Sequence, residues 1–153
     1  MKLMQPEIPA QKPTGEQIPP SPAPLVSGLK TTETSPGQMH TASLAFLGDA
    51  VYSLLVRERL AALYGKAEDL HTRAVGFVSA RAQAESAKKL LPHLTEEELA
   101  LFKRGRNMQT AHKPKGVTDA EYHSATGLET LFGYLYLSGE FARLHALFAI
   151  AVS

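Results

Sequence analysis

The sequence predicts an all-α fold, and three observations support this. Apolar residues recur at helical spacing over most of the chain from about residue 42 onward. Two segments begin with Thr followed three residues later by Glu, which is the capping-box pattern of a helix N-terminus. No segment shows a convincing strand pattern. The chain has 153 residues, and 44% of them are hydrophobic, which suits a single domain.

A proline-rich stretch precedes the helical part. Eight of the ten prolines lie at or before Pro36. Proline lacks an amide donor and disfavours helix in the residue before it, so residues 1–39 are predicted to form a disordered extension. The folded domain is predicted over residues 40–153.

The first three helices follow from the apolar spacing and from residues that begin or end helices. The first is predicted over 42–63 and ends at Gly65. The second is predicted over 67–76. The third covers 80–91, with Ser79 as its N-cap and a proline directly after it. The apolar residues that define the first helix are Leu44, Leu47, Val51, Leu54 and Leu55.

The last three helices are predicted over 96–106, 119–137 and 140–151. Thr95 with Glu98 forms one capping box, and Thr118 with Glu121 forms the other. Gly139 separates the fifth helix from the sixth, and residues 107–117 are predicted to form a loop.

Composition excludes several classes of protein. With no cysteine, the chain has no disulfide framework, zinc–thiolate site or cysteine nucleophile. A net charge of +1 excludes a uniformly basic nucleic-acid binder but allows a local basic patch. No apolar run approaches the ~18 residues of a membrane span. The sequence also lacks a glycine-rich nucleotide loop. We therefore expect a cytoplasmic protein without a membrane partner or a small-molecule cofactor.

Asp49 is the only charge in the otherwise apolar run from Leu44 to Val56. An ionised carboxylate in such a run is costly unless it is paired, hydrogen-bonded or bound to a metal. Two structural explanations stay open: Asp49 caps a helix that starts after Gly48, or it points to solvent.

Glu129 is likewise the only charge between Ala125 and Leu135. It lies on a helix face beside the apolar stripe, between Gly127 and Gly133. Each of these glycines costs about 1 kcal/mol relative to alanine inside a helix, so we expect another part of the chain close to that backbone. Tight helix packing explains the glycines, and a solvated side chain is the ordinary role of a lone glutamate.

Basic residues are concentrated between positions 103 and 115, where no acid occurs. Arginine and lysine bind phosphate oxygens, and a loop allows them to adapt to a nucleic-acid backbone. The alternative is a solvated run of charge that complements a helix C-terminus. The predicted phosphate-binding residues are Lys103, Arg104, Arg106, Asn107, Lys113 and Lys115.

Read together, these segments resemble a known family. The Phe-Leu-Gly-Asp-Ala-Val stretch at residues 46–51 resembles the hallmark of the ribonuclease III catalytic domain. Residues 128–135 resemble that family's last catalytic helix, whose glutamate falls on Glu129. Residues 78–85 and 101–107 resemble the compact Mini-ribonuclease III subfamily. The resemblance covers residues 42–151.

The resemblance implies a homodimeric, Mg²⁺-dependent endoribonuclease that cleaves double-stranded RNA. It implies that Asp49 and Glu129 are the catalytic residues and the metal ligands. Each subunit of the dimer would cut one strand of the duplex. The substrate that the subfamily implies is the precursor of 23S ribosomal RNA, trimmed at both ends.

Two departures leave alternatives open. The classical family has two further acids, and this chain has Ala45 and Thr126 at those positions. The mini subfamily also lacks both acids, but the number of metal ions stays undetermined. The alternatives are a non-catalytic module that binds double-stranded RNA on the same fold, and a helical interaction protein whose acids have no function.

Overall fold

The computed structural model describes residues 35–63, 67–110 and 112–153. Within these ranges the chain forms six α-helices and no strand, which confirms the predicted all-α class. Two short 3₁₀ turns, Pro36–Gln38 and Leu91–His93, complete the regular structure of these ranges. None of the helices described there is both long and apolar enough to cross a membrane. The helices are α1 (Thr41–Leu63), α2 (Ala67–Val78), α3 (Ala80–Leu90), α4 (Glu96–Arg106), α5 (Asp119–Leu137) and α6 (Phe141–Ala151).

The helix ends follow from local hydrogen bonds that the sequence predicts. The Ser79 hydroxyl accepts a hydrogen bond from the Ala82 amide at 3.3 Å and so begins α3. Thr95 and Thr118 form complete capping boxes at α4 and α5. Gly139 follows α5 with a φ of +71°, a left-handed conformation that favours glycine. Gly65, the predicted end of α1, lies outside the described residues.

Helix α5 lies at the centre of the domain and packs against α1, α3, α4 and α6. The core around it is apolar and includes one aromatic cluster, in which Tyr52 packs edge-on against Phe132 and Phe148 at centroid distances of 5.3 and 5.7 Å. The Tyr52 hydroxyl lies 3.1 Å from the hydroxyl of Ser86, which donates to the Ala151 carbonyl. This buried network joins α1, α3 and α6 behind the central helix.

Helices α1 and α5 cross in direct backbone contact. A Cβ added at Gly48 would lie 2.9 Å from the Glu129 Cα and still closer to the Glu129 carbonyl. A Cβ added at Gly133 would clash with the Leu44 carbonyl and lie 3.1 Å from the Gly48 amide nitrogen. Glycine is therefore required on both helices at this crossing, because any side chain would force the backbones apart.

Helices α4 and α5 are also in close contact. A Cβ at Gly127 would lie 2.8 Å from the Phe102 carbonyl oxygen, and a Cβ at Gly105 would clash with Thr130. The two glycines of α5 that the sequence marks as costly, Gly127 and Gly133, are thus both explained by tight packing, on different sides of the helix. This packing fixes α4, and with it the start of the basic segment that follows.

Residues 35–39, the last part of the predicted extension, lie within the described residues and contact the helices. The Arg104 guanidinium donates to the carbonyls of Gly37 and Met39 at 2.8 and 3.1 Å. The 3₁₀ turn at Pro36–Gln38 also packs against α5. The last residues of the predicted extension therefore contact the domain, whereas residues 1–34 lie outside the described residues.

We expect Gly48→Ala to destabilise the protein by about 2 kcal/mol or more, because the new methyl group would overlap the α5 backbone. Gly76→Ala is the matched control: Gly76 is also helical, but a Cβ there meets nothing within 4 Å. That substitution should stabilise the protein by about 0.5–1 kcal/mol. Urea denaturation of both variants measures the difference, and equal stabilities would contradict the close crossing.

Candidate active site

Asp49 lies on the exposed surface of α1. Since α1 runs without interruption from Thr41 to Leu63, Asp49 is not a helix cap. The preceding residue, Gly48, is the one in contact with the α5 backbone, and the next one, Ala50, is exposed. Asp49 thus stands at the edge of the α1–α5 crossing, where its carboxylate is accessible to a ligand from solvent.

Glu129 lies on the other side of the same crossing and is partly buried. Burial raises the pKa of its carboxyl to about 8, with a further rise from the negative charge of Asp49. A hydrogen bond from Gln83 acts in the opposite direction and lowers this pKa. The lone glutamate is therefore not an ordinary solvated side chain, and its carboxyl is close enough to Asp49 for their charges to repel.

The crossing brings together two carboxyl groups from helices that are distant in the sequence. Among the described residues there is no cluster of three or more His, Asp or Glu side chains able to hold a metal ion. The two positions where the classical family has further acids, Ala45 and Thr126, are buried, and the Thr126 hydroxyl donates to the Tyr122 carbonyl at 3.0 Å. The chain thus offers a site of two carboxylates, a donor set suited to a cation that prefers oxygen ligands and retains several waters.

Gln83 also acts on this site through Glu129, although no motif in the sequence marks it. Its side chain is 1% exposed, and its Nε2 donates to the Val78 carbonyl at 3.1 Å. One signal was present in the sequence: Gln83 occupies an apolar position of α3, in the stripe that continues with Ala84, Ala87 and Leu90. A polar amide in such a stripe indicates a buried hydrogen-bonding role.

The basic segment divides into two groups. Lys103, Arg106 and Lys115 are exposed, and none of the three has an ion pair among the described residues. Arg104 instead binds the carbonyls before α1, and Lys113 forms a 2.6 Å ion pair with Asp119.

Asn107 is exposed and caps the C-terminus of α4, where its backbone N–H donates to the Lys103 carbonyl at 2.9 Å. Within the described residues of the basic segment, three cations without an ion pair and one exposed amide side chain are thus left for a ligand. Arg104 and Lys113 stay predicted RNA-binding residues, and both already have partners within the chain.

The exposed face of α1 beside Asp49 is apolar. Phe46 is 85% exposed and Leu54 is 61% exposed, and Ala50 lies between them on the same face of the helix. Large apolar side chains exposed together on one helix face are typical of an interface with another protein.

The sequence and the fold are similar to those of known proteins. The Ribonuclease III domain profile matches residues 42–140. The Mini-ribonuclease 3 of Thermoanaerobacter is 48% identical over 110 residues, covering 71% of this chain and 78% of that protein. The Mini-ribonuclease 3 of Symbiobacterium thermophilum is 48% identical over 103 residues, covering 67% and 79%. A crystal structure of a Fusobacterium nucleatum protein superposes with a TM-score of 0.70 at 28% identity, covering 78% of this chain and 97% of the other.

The raised pKa of Glu129 predicts a pH-dependent stability. Between its ordinary value of 4.5 and about 8, the folded state binds more protons than the unfolded state, so this contribution to stability decreases as the pH rises. Glu129→Gln removes the titration. We therefore expect it to stabilise the protein relative to wild type at pH 8.5, by an amount on the order of a few kcal/mol, and much less at pH 5.

Urea denaturation in the presence of a chelator measures both stabilities. Glu58→Gln, the same change at an exposed acid of α1, is the control. An equal effect of Glu129→Gln at both pH values would contradict a buried, protonated carboxyl.

Proposed function

Since this chain belongs to the ribonuclease III family, and to its Mini-ribonuclease 3 branch, we propose that it cleaves double-stranded RNA with the help of Mg²⁺. Family membership itself makes the chain an endoribonuclease, as the sequence predicts. The metal-dependent mechanism is supported by one observation: Asp49 and Glu129 lie close together at the α1–α5 crossing.

The two carboxylates differ in their surroundings, and we infer that they differ in role. Asp49 is exposed and would be the central metal ligand. Glu129 is partly buried and would bind the same ion directly or through a water molecule. When bound, Mg²⁺ polarises the scissile phosphate and activates water for its hydrolysis. A cation also relieves the repulsion between the two carboxylates and favours the ionised form of Glu129.

We propose that the exposed cations of the basic segment hold the RNA backbone. Lys103, Arg106 and Lys115 have no ion-pair partner in the described part of the chain, so binding phosphate breaks no existing ion pair there. Asn107 adds an exposed amide next to them. Double-stranded RNA is recognised mainly through phosphates, 2′-hydroxyls and helix shape, so we expect little base specificity from these four residues.

We further propose a homodimer that uses the apolar face of α1. Phe46 and Leu54 are exposed on the helix that carries Asp49, so an interface there would place two sites close to one two-fold axis. Two such sites would each cut one strand of the same duplex.

Precursor 23S ribosomal RNA in the cytoplasm is our proposed substrate. Its support is membership in the Mini-ribonuclease 3 branch, together with the resemblance of residues 78–85 and 101–107 to that subfamily. Mapping the ends made on a precursor stem tests it: cuts away from both mature ends would contradict this substrate.

Asp49→Asn should abolish cleavage of a long RNA duplex and leave binding within about threefold of wild type, because the change removes a charge from the metal site only. The measurement is gel analysis of duplex RNA with and without Mg²⁺, paired with a binding titration. Glu58→Gln, on the same helix, should cleave normally. Cleavage by Asp49→Asn at the wild-type rate would reject the metal role, and a wild type that binds but never cuts would favour the non-catalytic module.

Replacing Lys103, Arg106 and Lys115 together with alanine should weaken RNA binding and reduce the slope of log K against log salt by about 2, since each lost phosphate contact removes about 0.7–0.9. Filter binding at salt concentrations from about 50 to about 200 mM measures this slope, because RNA affinity changes strongly with salt in that range. Lys88→Ala is the control, because Lys88 is exposed but paired with Glu85. An unchanged slope for the triple variant would contradict the assigned surface.

Phe46→Ser combined with Leu54→Ser should convert a dimer to a monomer without unfolding it, because both side chains are exposed in the isolated subunit. Analytical ultracentrifugation and circular dichroism measure the two properties. Val75→Ser, a similar change at an exposed apolar residue of α2, should leave the dimer intact. A monomeric wild type, or a dimer that survives the double change, would count against this interface.

A further inference from the structure

Gln83 is a polar side chain that is only 1% exposed, and its position is fixed from two sides. Ser79 caps α3 and holds its first turn, and the Gln83 Nε2 donates to the carbonyl of Val78, the last residue of α2. A side chain that is 1% exposed and anchored in this way has little freedom to rotate.

The anchored amide reaches Glu129. A primary amide nitrogen carries two hydrogens, and the Val78 carbonyl accepts only one of them. The same side chain acts as a hydrogen-bonding neighbour that lowers the pKa of the Glu129 carboxyl, and α3 packs directly against α5. Gln83 thus links the carboxyl of the site to a backbone carbonyl at the end of α2.

The other polar atom of the amide, Oε1, is buried and accepts no hydrogen bond from any residue that the structure describes. The great majority of buried polar atoms in proteins are paired. An acceptor without a partner, on a side chain that neighbours the Glu129 carboxyl, suits a water molecule of a bound cation, because such a water donates hydrogen bonds outward.

We propose that Gln83 is a positioning residue of the metal site, which orients the Glu129 carboxylate through Nε2 and accepts a hydrogen bond from metal-bound water through Oε1. The inference rests on the proposed function, since it requires Asp49 and Glu129 to share a divalent ion. Groups that orient metal ligands typically contribute 10–100-fold to metal affinity. Gln83 should therefore affect the affinity for the ion itself, before any RNA is present.

The test is titration calorimetry of the full chain with Mn²⁺ alone, as a probe of the divalent site. Gln83→Met keeps the length of the side chain and removes both hydrogen-bonding groups. It should weaken Mn²⁺ binding by about 10–100-fold. Gln83→Asn keeps the amide but shortens it by one methylene, so that it can no longer span from Val78 to Glu129. Gln83→Asn should therefore also weaken Mn²⁺ binding. It serves as the test if Gln83→Met does not fold.

Ser86→Ala is the matched control for a purely structural role. Ser86 is buried on the same helix one turn further on, and it bonds to Tyr52 and Ala151 instead of Glu129. Its replacement should lower the melting temperature in chelator yet leave Mn²⁺ affinity within about twofold, well below the effect of a ligand-orienting group.

The outcomes separate the two proposals. If wild type binds Mn²⁺, Asp49→Asn does not, and the Gln83 variants bind as wild type does, the positioning role is overturned and the proposed function stands. If wild type does not bind Mn²⁺, or Asp49→Asn binds it equally well, the proposed metal site is overturned and the role of Gln83 with it.

Discussion

The crossing of α1 and α5 is the constraint on which the rest of the structure depends. Gly48 and Gly133 have no side chains, so the backbones touch, and Glu129 lies directly against the residue that precedes Asp49. The distance between the two acids is thus set by main-chain contact, which is stiffer than contact through flexible side chains. A rigid crossing of this kind holds functional groups in a fixed geometry before any ligand arrives.

The electrostatics of the site oppose the folded state. Glu129 is taken partly out of water and placed beside another carboxylate, and both effects raise its pKa. Folding without a ligand therefore retains an unfavourable interaction that the apolar core around Tyr52 and Phe132 must offset. Unfavourable arrangements of this kind are frequent at sites whose role is to bind an opposite charge. The exposed Asp49 keeps that site open to solvent.

Local signals in the sequence predict the helices closely, because capping and apolar spacing act over a few residues. Thr95 and Thr118 mark the observed starts of α4 and α5. Contacts between distant segments are not predicted by these local signals. Nothing local shows that Arg104 binds the carbonyls before α1, or that Gln83 reaches Glu129.

The candidate site, too, depends on contacts that local sequence patterns do not predict. Periodicity and charge left the roles of Asp49 and Glu129 open, and the resemblance to a family connected them. Their meeting depends on a glycine contact between helices far apart in the chain, which a pattern of neighbouring residues does not report.

The order of Asp49 and Glu129 along the chain determines when the two acids can come together during translation. Asp49 is made early, on α1, whereas Glu129 is carried by the second-last helix. A polypeptide still being translated on the ribosome has only Asp49 until Glu129 has been added, and the two acids meet only when α5 packs against α1. Under the proposed function, the metal site therefore cannot form before α5 has been made.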